Sequence, residues 1–208
     1  MAQSLQLARW LQIRVNCVII ISRIADQKAN MRKGAALMEQ HNYLKTARLE
    51  LKPLDEKDRE SMIRLAEDRQ IKKTYMFPDF ADRAQKDAFY DRLLALCESG
   101  KRFIFGIYLQ GKLIGMLNET ETDGKSIELG YFIDPEYWNR GYASEALVTA
   151  IDELFRRGFK RVCAGYFEGN DASRRVMEKS GMKPTKEEAV ISYRGVDHRC
   201  LFCEITHE

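Results

Sequence analysis

The segment Trp138-Asn139-Arg140-Gly141-Tyr142-Ala143-Ser144 lies where a strand pattern stops, a short loop turns and a helix pattern begins. The first N–H groups of a helix have no partner inside it and point out of its start. The helix dipole makes the same end positive. A pyrophosphate is the natural guest of such a place. Gly141 lets the backbone approach closely, Ala143 avoids crowding, and Arg140 adds a positive charge. The segment is not a P-loop, since no Gly-Lys-Ser/Thr occurs in it, and not a dinucleotide fingerprint, since G-x-G-x-x-G is missing. Taken alone, the glycine reads as an ordinary residue of a strand-to-helix turn.

Two other places carry reactive or polar groups at suggestive spacing. Asn170 opens a later helix, with Ser173 three residues on. Asn is a good helix cap in its own right, and Ser173 would then sit in the first turn. Cys200 and Cys203 form a C-x-x-C. No second Cys or His pair stands at ligand spacing, and in a strand two residues three apart point to opposite faces. We therefore expect neither metal binding nor redox chemistry from them.

The elements that must position these groups begin at Arg48. Residues 48–54 alternate, with Leu49 and Leu51 on one face. Asp55, with Asp58 three residues on, opens a helix whose apolar side is Met62, Ile63, Leu65 and Ala66. A loop with Pro78 leads to a second helix at 81–98, closed by Gly100. Strands follow at 103–109 and 112–119 around Gln110-Gly111, and at 126–133 after the Asp123-Gly124 turn. A long amphipathic helix spans 141–157 and Gly158 ends it. A buried strand at 161–167, a helix from Asn170 to Gly181, and strands at 189–193 and 196–206 around Arg194-Gly195 complete the order β-α-α-β-β-β-α-β-α-β-β. This predicts a mixed α/β fold: a central mixed sheet of about seven strands, helices on both faces, and an antiparallel meander entering a βαβ unit.

Composition narrows the function classes. With 45% hydrophobic and 31% charged residues the chain is an ordinary globular protein, long enough to bury a core without disulfides. The net charge of +3 is uneven: residues 1–47 carry +5 and the rest −2, so the main domain lacks the basic face of a nucleic-acid binder. The five cysteines are odd in number and scattered, which argues against a disulfide framework and fits a reducing cytoplasm. No apolar run is long enough for a membrane span, so no membrane partner is expected. Residues 1–37 show neither clean periodicity nor caps. Lys33-Gly34-Ala35 can be encoded by a purine-rich stretch like a ribosome-binding site ahead of Met38, so translated upstream sequence and a poorly structured extension are both open. The expected division is an N-terminal extension, 1–47, and one domain, 48–208.

Residues 48–205 resemble the GNAT acetyltransferase superfamily, and within it the RimJ/RimL-like branch of ribosomal-protein alanine N-acetyltransferases. The resemblance rests on Pro135-Glu136-Tyr137-Trp138-x-x-Gly141-Tyr142-Ala143-x-Glu145-Ala146 and on Asn170-x-x-Ser173 ahead of Gly181-Met182. Gly141 and Ala143 match the family's pyrophosphate loop, Q/R-x-x-G-x-G/A; Trp138 replaces its first residue, as is usual in this branch. The resemblance implies a GNAT-like fold and an acetyl-CoA-dependent N-acetyltransferase, with direct attack of a primary amine in a ternary complex. It implies that Asn139, Arg140, Gly141, Tyr142, Ala143 and Ser144 hold the pyrophosphate. The backbone of Phe132, Ile133 and Asp134 would bond the pantetheine in a gap beside the strand at 161–167, with Asn170 and Ser173 near the thioester. Glu128 would act as a base through water, bind the cationic amine, or merely be a solvated strand residue. A tyrosine that serves many relatives as acid is replaced by Met177, which cannot donate a proton; Ser173 or water would take its place.

The acceptor would meet residues 69–80, with Tyr75, Met76 and Phe77, and the Tyr193-Arg194-Gly195 turn. A protein N-terminus, a polyamine, an antibiotic amine and a small metabolite all remain open. Acetyl-CoA is the expected co-substrate, with no metal and no nucleic acid, in a cytoplasmic monomer or homodimer. The alternative is a non-catalytic acyl-CoA-binding regulatory module of the same fold. Because no periodic core signal precedes Arg48, a chain starting at Met38 should melt within a few degrees of the full-length protein and bind acetyl-CoA equally well, measured by thermal denaturation and calorimetry. A large drop in melting temperature would show that residues 1–37 pack on the domain.

Overall fold

The computed structural model describes residues 43–207. They form an eight-stranded sheet in the order β1-β2-β3-β4-β5-β6-β8-β7. The strands are β1 (Leu44–Lys45), β2 (Leu49–Lys52), β3 (Ile104–Leu109), β4 (Lys112–Thr122), β5 (Ser126–Ile133), β6 (Arg161–Phe167), β7 (Lys183–Tyr193) and β8 (Val196–Thr206). The helices among the described residues are α1 (Arg59–Glu67), α2 (Arg83–Glu98), α3 (Tyr142–Arg156) and α4 (Asp171–Lys179). All strand pairs are antiparallel except β5–β6, which α3 joins as a crossover. None of these helices is long and apolar enough to cross a membrane.

The sheet has one strand more than the sequence pattern predicts. Leu44–Lys45 pairs with Glu50 and Leu51 across a turn closed by Thr46, and two residues are too few to show alternation. The sheet thus takes in Leu44–Lys45 of the segment assigned to the N-terminal extension; residues 1–42 of that segment, with Cys17, lie outside the described residues. β7 also starts at Lys183, six residues before the expected 189. It is an edge strand whose first half is polar and carries Pro184, with an irregular register up to Glu188. Exposed edge residues need no apolar alternation.

Local signals seat the helices. Asp55 accepts from the Lys57 N–H at 2.8 Å and Asp58 accepts from the Asp55 N–H at 3.0 Å, a reciprocal cap that starts a 3₁₀ turn leading into α1. Asp82 caps α2. Ala146, Leu147, Ala150, Ile151 and Leu154 bury one side of α3 on the sheet.

Two apolar layers result. One face of the sheet, with Leu49, Leu51, Ile127, Leu129 and Ile133, packs on α3 and on Met177 of α4. The opposite face, with Ile104, Met116 and Phe132, packs on α1, α2 and the loop between them. Cys203 belongs to the first layer, whereas Cys200 joins a smaller cluster with Phe167, Ile191 and Phe202. The two thiols thus face opposite ways. Near the end of β5, β4 and β5 run unusually close: a Cβ on Gly115 would come 2.3 Å from the Phe132 carbonyl oxygen. Gly115→Ala should therefore destabilise the domain by about 1–3 kcal/mol in urea unfolding, because backbone has to move. An unchanged midpoint would contradict this close approach.

Candidate active site

β5 and β6 pair only from Ser126↔Arg161 to Glu128↔Cys163. Beyond that point β5 follows β4 as far as Ile133↔Gly115, and β6 follows β8 as far as Phe167↔Cys200. The two parallel strands therefore part. A cleft of about 530 Å³ opens there, lined by residues 128–133 of β5 and 165–167 of β6. On its β6 side, the β5 backbone beyond Glu128 faces this cleft.

The start of α3 closes one end. After β5, the Asp134 carboxylate accepts from the Glu136 N–H at 3.1 Å and pairs with Arg64 at 2.6 Å. The Trp138 indole N–H donates to the Ile133 carbonyl at 2.7 Å, which ties the loop back to the strand. Gly141 takes the left-handed conformation, φ 81°, that an L-residue adopts at a cost. Helical bonding begins with the Glu145 N–H to the Gly141 carbonyl, at 3.0 Å. The N–H groups of Tyr142, Ala143 and Ser144 precede it, and all three residues line the cleft with Asn139 and Gly141. That end can receive an anion. Arg175 and Lys179 of α4 add positive charge to the lining.

α4 brings Ser173 to the same cleft. Asn170 caps it, accepting from the Ser173 N–H at 3.2 Å. The Ser173 hydroxyl lies 2.9 Å from the Tyr131 hydroxyl, which also donates to the Ser173 carbonyl at 3.1 Å. Burial raises the Tyr131 phenol above its ordinary range, and the bond to Ser173 offsets part of that rise. Tyr131 therefore keeps its proton at neutral pH and acts as a donor.

Residues 48–183 match the family of acetyltransferase (GNAT) domains. The chain belongs to the GNAT acetyltransferase family. It is 26% identical over 145 residues to an uncharacterized N-acetyltransferase of Bacillus subtilis, YoaA, covering 67% of this chain and 82% of that protein. Its fold matches a ribosomal-protein-S5-alanine acetyltransferase from Vibrio fischeri with a TM-score of 0.67 at 20% identity, over 80% of this chain and 97% of the other. It also matches RimL, a ribosomal L7/L12 α-N-protein acetyltransferase in complex with coenzyme A, with a TM-score of 0.66 at 18% identity, over 79% and 97% of the two chains. At these identities the structural likeness is one of fold. The family match makes the chain an acetyl-CoA-dependent N-acetyltransferase.

Within this GNAT fold the expected residues do not all reach the cleft. Glu128, Phe132, Ile133, Asn139, Gly141, Tyr142, Ala143, Ser144, Asn170 and Ser173 line it. The Phe132 ring is buried against Tyr75 and Phe77. Asp134 and Arg140 stand outside the lining. The Asp134 N–H donates to Ile114 and its carbonyl accepts from Tyr137, so its backbone is engaged within the protein. Met177 is fully buried in the core, so the position of the usual tyrosine serves packing here.

Side-chain alternation along β5 separates the two ends of the site. Leu129, Tyr131 and Ile133 face α3 and α4; Glu128, Gly130 and Phe132 face the other layer. On that second side Tyr75 packs over Gly130 and donates to Asn118 at 2.6 Å. The Tyr193 hydroxyl donates to the Phe77 carbonyl at 3.0 Å, and Asp79 bridges Lys72 at 2.8 Å and Arg194 at 3.2 Å. The loop and the last hairpin therefore touch each other; of the residues expected near the acceptor, Tyr75 and Met76 line the cleft, and Phe77, Tyr193, Arg194 and Gly195 stand outside its lining. Tyr131 was missed. Its odd-numbered place on β5 reads as core, and only the position of α4 shows that its hydroxyl faces Ser173.

Proposed function

We propose that this enzyme acetylates a primary amine by direct attack, with the two substrates entering the cleft from opposite faces of β5. The parting of β5 from β6 in front of the α3 N-terminus carries this reading. The acetyl-CoA pyrophosphate sits at Gly141–Ser144 and the pantetheine runs along the β5 backbone, past Asn170. Arg175 and Lys179 add charge for the phosphates.

The acceptor amine approaches from the Tyr75 side. Glu128 is the one carboxylate that lines the cleft among the described residues; the basic side chains there are Lys73, Arg175 and Lys179. A site with one carboxylate and an apolar wall of Ile71, Met76, Ile191 and Phe202 suits a single ammonium beside an apolar body better than a polyamine. Glu128 takes the amine proton, through water. The neutral nitrogen attacks the thioester carbonyl, the C–N bond forms and the C–S bond breaks. The departing thiolate takes a proton from the Ser173 hydroxyl, the nitrogen loses its second proton to water, and that proton returns through solvent to Ser173, which Tyr131 orients by its hydrogen bond.

Three variants and a binding control test this. Gly141→Glu should abolish acetyl-CoA binding in calorimetry while the fold persists, since it adds a negative charge and an unfavourable φ. Glu128→Gln should lower kcat about 10²–10⁴-fold with acetyl-CoA affinity kept. If it raises only the acceptor KM, Glu128 binds the amine and is no base. Tyr131→Phe and Ser173→Ala should each slow transfer, most with poor leaving thiols. Wild-type rates in all three variants, on an acceptor found by screening amines for coenzyme A release, would overturn the catalytic assignment.

A further inference from the structure

The helix that receives the anion carries a carboxylate in its first turn. Glu145 stabilises α3 through the helix dipole. The same charge opposes a diphosphate bound at that end. Its side chain is only 18% exposed, so solvent screens it weakly.

Arg48, just ahead of β2, meets this charge from three directions. Its Nε donates to Glu145 Oε2 at 2.7 Å, its Nη2 lies 2.6 Å from the same oxygen, and its backbone N–H donates to Oε1 at 2.9 Å. The Thr46 hydroxyl also donates to Glu145. Burial raises the Glu145 carboxyl, but the bonds from Thr46 and Arg48 prevail and hold it below its usual range, so it is ionised at neutral pH. Meanwhile Arg48 Nη1 donates to the Arg140 carbonyl at 3.0 Å, and the guanidinium lies 4.4 Å over the Tyr142 ring. A Cβ on Gly141 would stand 3.4 Å from Nη2. The cation is thus fixed against the loop itself.

We infer that Arg48 is a positioning residue for the cofactor end of the site: it cancels the charge of Glu145 and leaves the start of α3 net positive toward the pyrophosphate. This rests on the placement of acetyl-CoA at Gly141–Ser144 proposed above. Arg48 acts through Glu145 and takes no part in bond making.

The test is coenzyme A affinity of the full chain by calorimetry, with kcat at saturating acetyl-CoA measured beside it. Arg48→Gln should weaken coenzyme A about tenfold and leave kcat within about twofold. Arg48→Lys, which keeps the charge, should retain most of the affinity. Glu145→Gln alone should bind at least as tightly as wild type even though α3 melts more readily. The decisive variant is Arg48→Gln with Glu145→Gln, which should return to within about threefold of wild-type affinity. If that double variant binds as weakly as Arg48→Gln, or Glu145→Gln weakens binding as much, charge cancellation is wrong. Gly141→Glu separates the two ideas. If it binds coenzyme A normally, the pyrophosphate lies elsewhere; if it abolishes binding while Arg48→Gln changes nothing, only the role of Arg48 falls.

Discussion

The site depends on the point where two parallel strands stop pairing. β5 leaves β6 after Glu128, while each stays paired with the neighbour on its other side, β4 and β8. Strand backbone must find partners or face solvent, so the parting turns a stretch of β5 into a hydrogen-bonding edge inside the protein. Gly115 keeps β4 close to β5 at this edge, where a methyl group would strike the Phe132 carbonyl. The crossover rule brings α3 back over the same gap. One irregularity of pairing therefore yields both a groove for an extended arm and a helix start aimed at its mouth.

That helix start is then finished by contacts distant in sequence. Asp134 caps the turn before it, Trp138 ties the loop to β5, and Arg48 reaches across from just ahead of β2 to Glu145 and the Arg140 carbonyl. An anion site made of backbone N–H groups is weak unless the loop is held in one conformation. The left-handed Gly141 fixes the turn from within, and Arg48 touches it from outside at the Arg140 carbonyl and the Tyr142 ring.

Much of this was legible in the sequence, for a physical reason. The Gly141 loop, the caps at Asp55 and Asn170 and the alternation of β5 are local patterns, and local patterns dictate local structure. What escaped was pairing between elements. Leu44–Lys45 is too short to show a period, and the polar half of β7 has no apolar face to betray it. Tyr131 reads as a core residue because it alternates with Leu129 and Ile133. Arg48 reads as the first residue of a strand, and its partner Glu145 lies 97 positions away. Asp134 was expected to offer its backbone to the pantetheine; that its backbone is engaged within the protein, and that its side chain caps the turn and pairs with Arg64, needed the fold.

Alternation along β5 also bears on why direct attack suits this architecture. Glu128 and Tyr131 are an odd number of positions apart, so a pleated strand sends them to opposite faces. In a continuous sheet two such groups would be separated by the paired backbone of a neighbour. Here the neighbour has left, and both faces open on one gap. In the proposed reaction a base on one face and a proton donor on the other would then serve one carbonyl, since the attacking nitrogen and the leaving sulfur are different substituents of the tetrahedral centre. A covalent acyl-enzyme would require one side chain to meet both substrates in turn. In the proposed ternary complex that need does not arise, because the amine and the thioester meet directly.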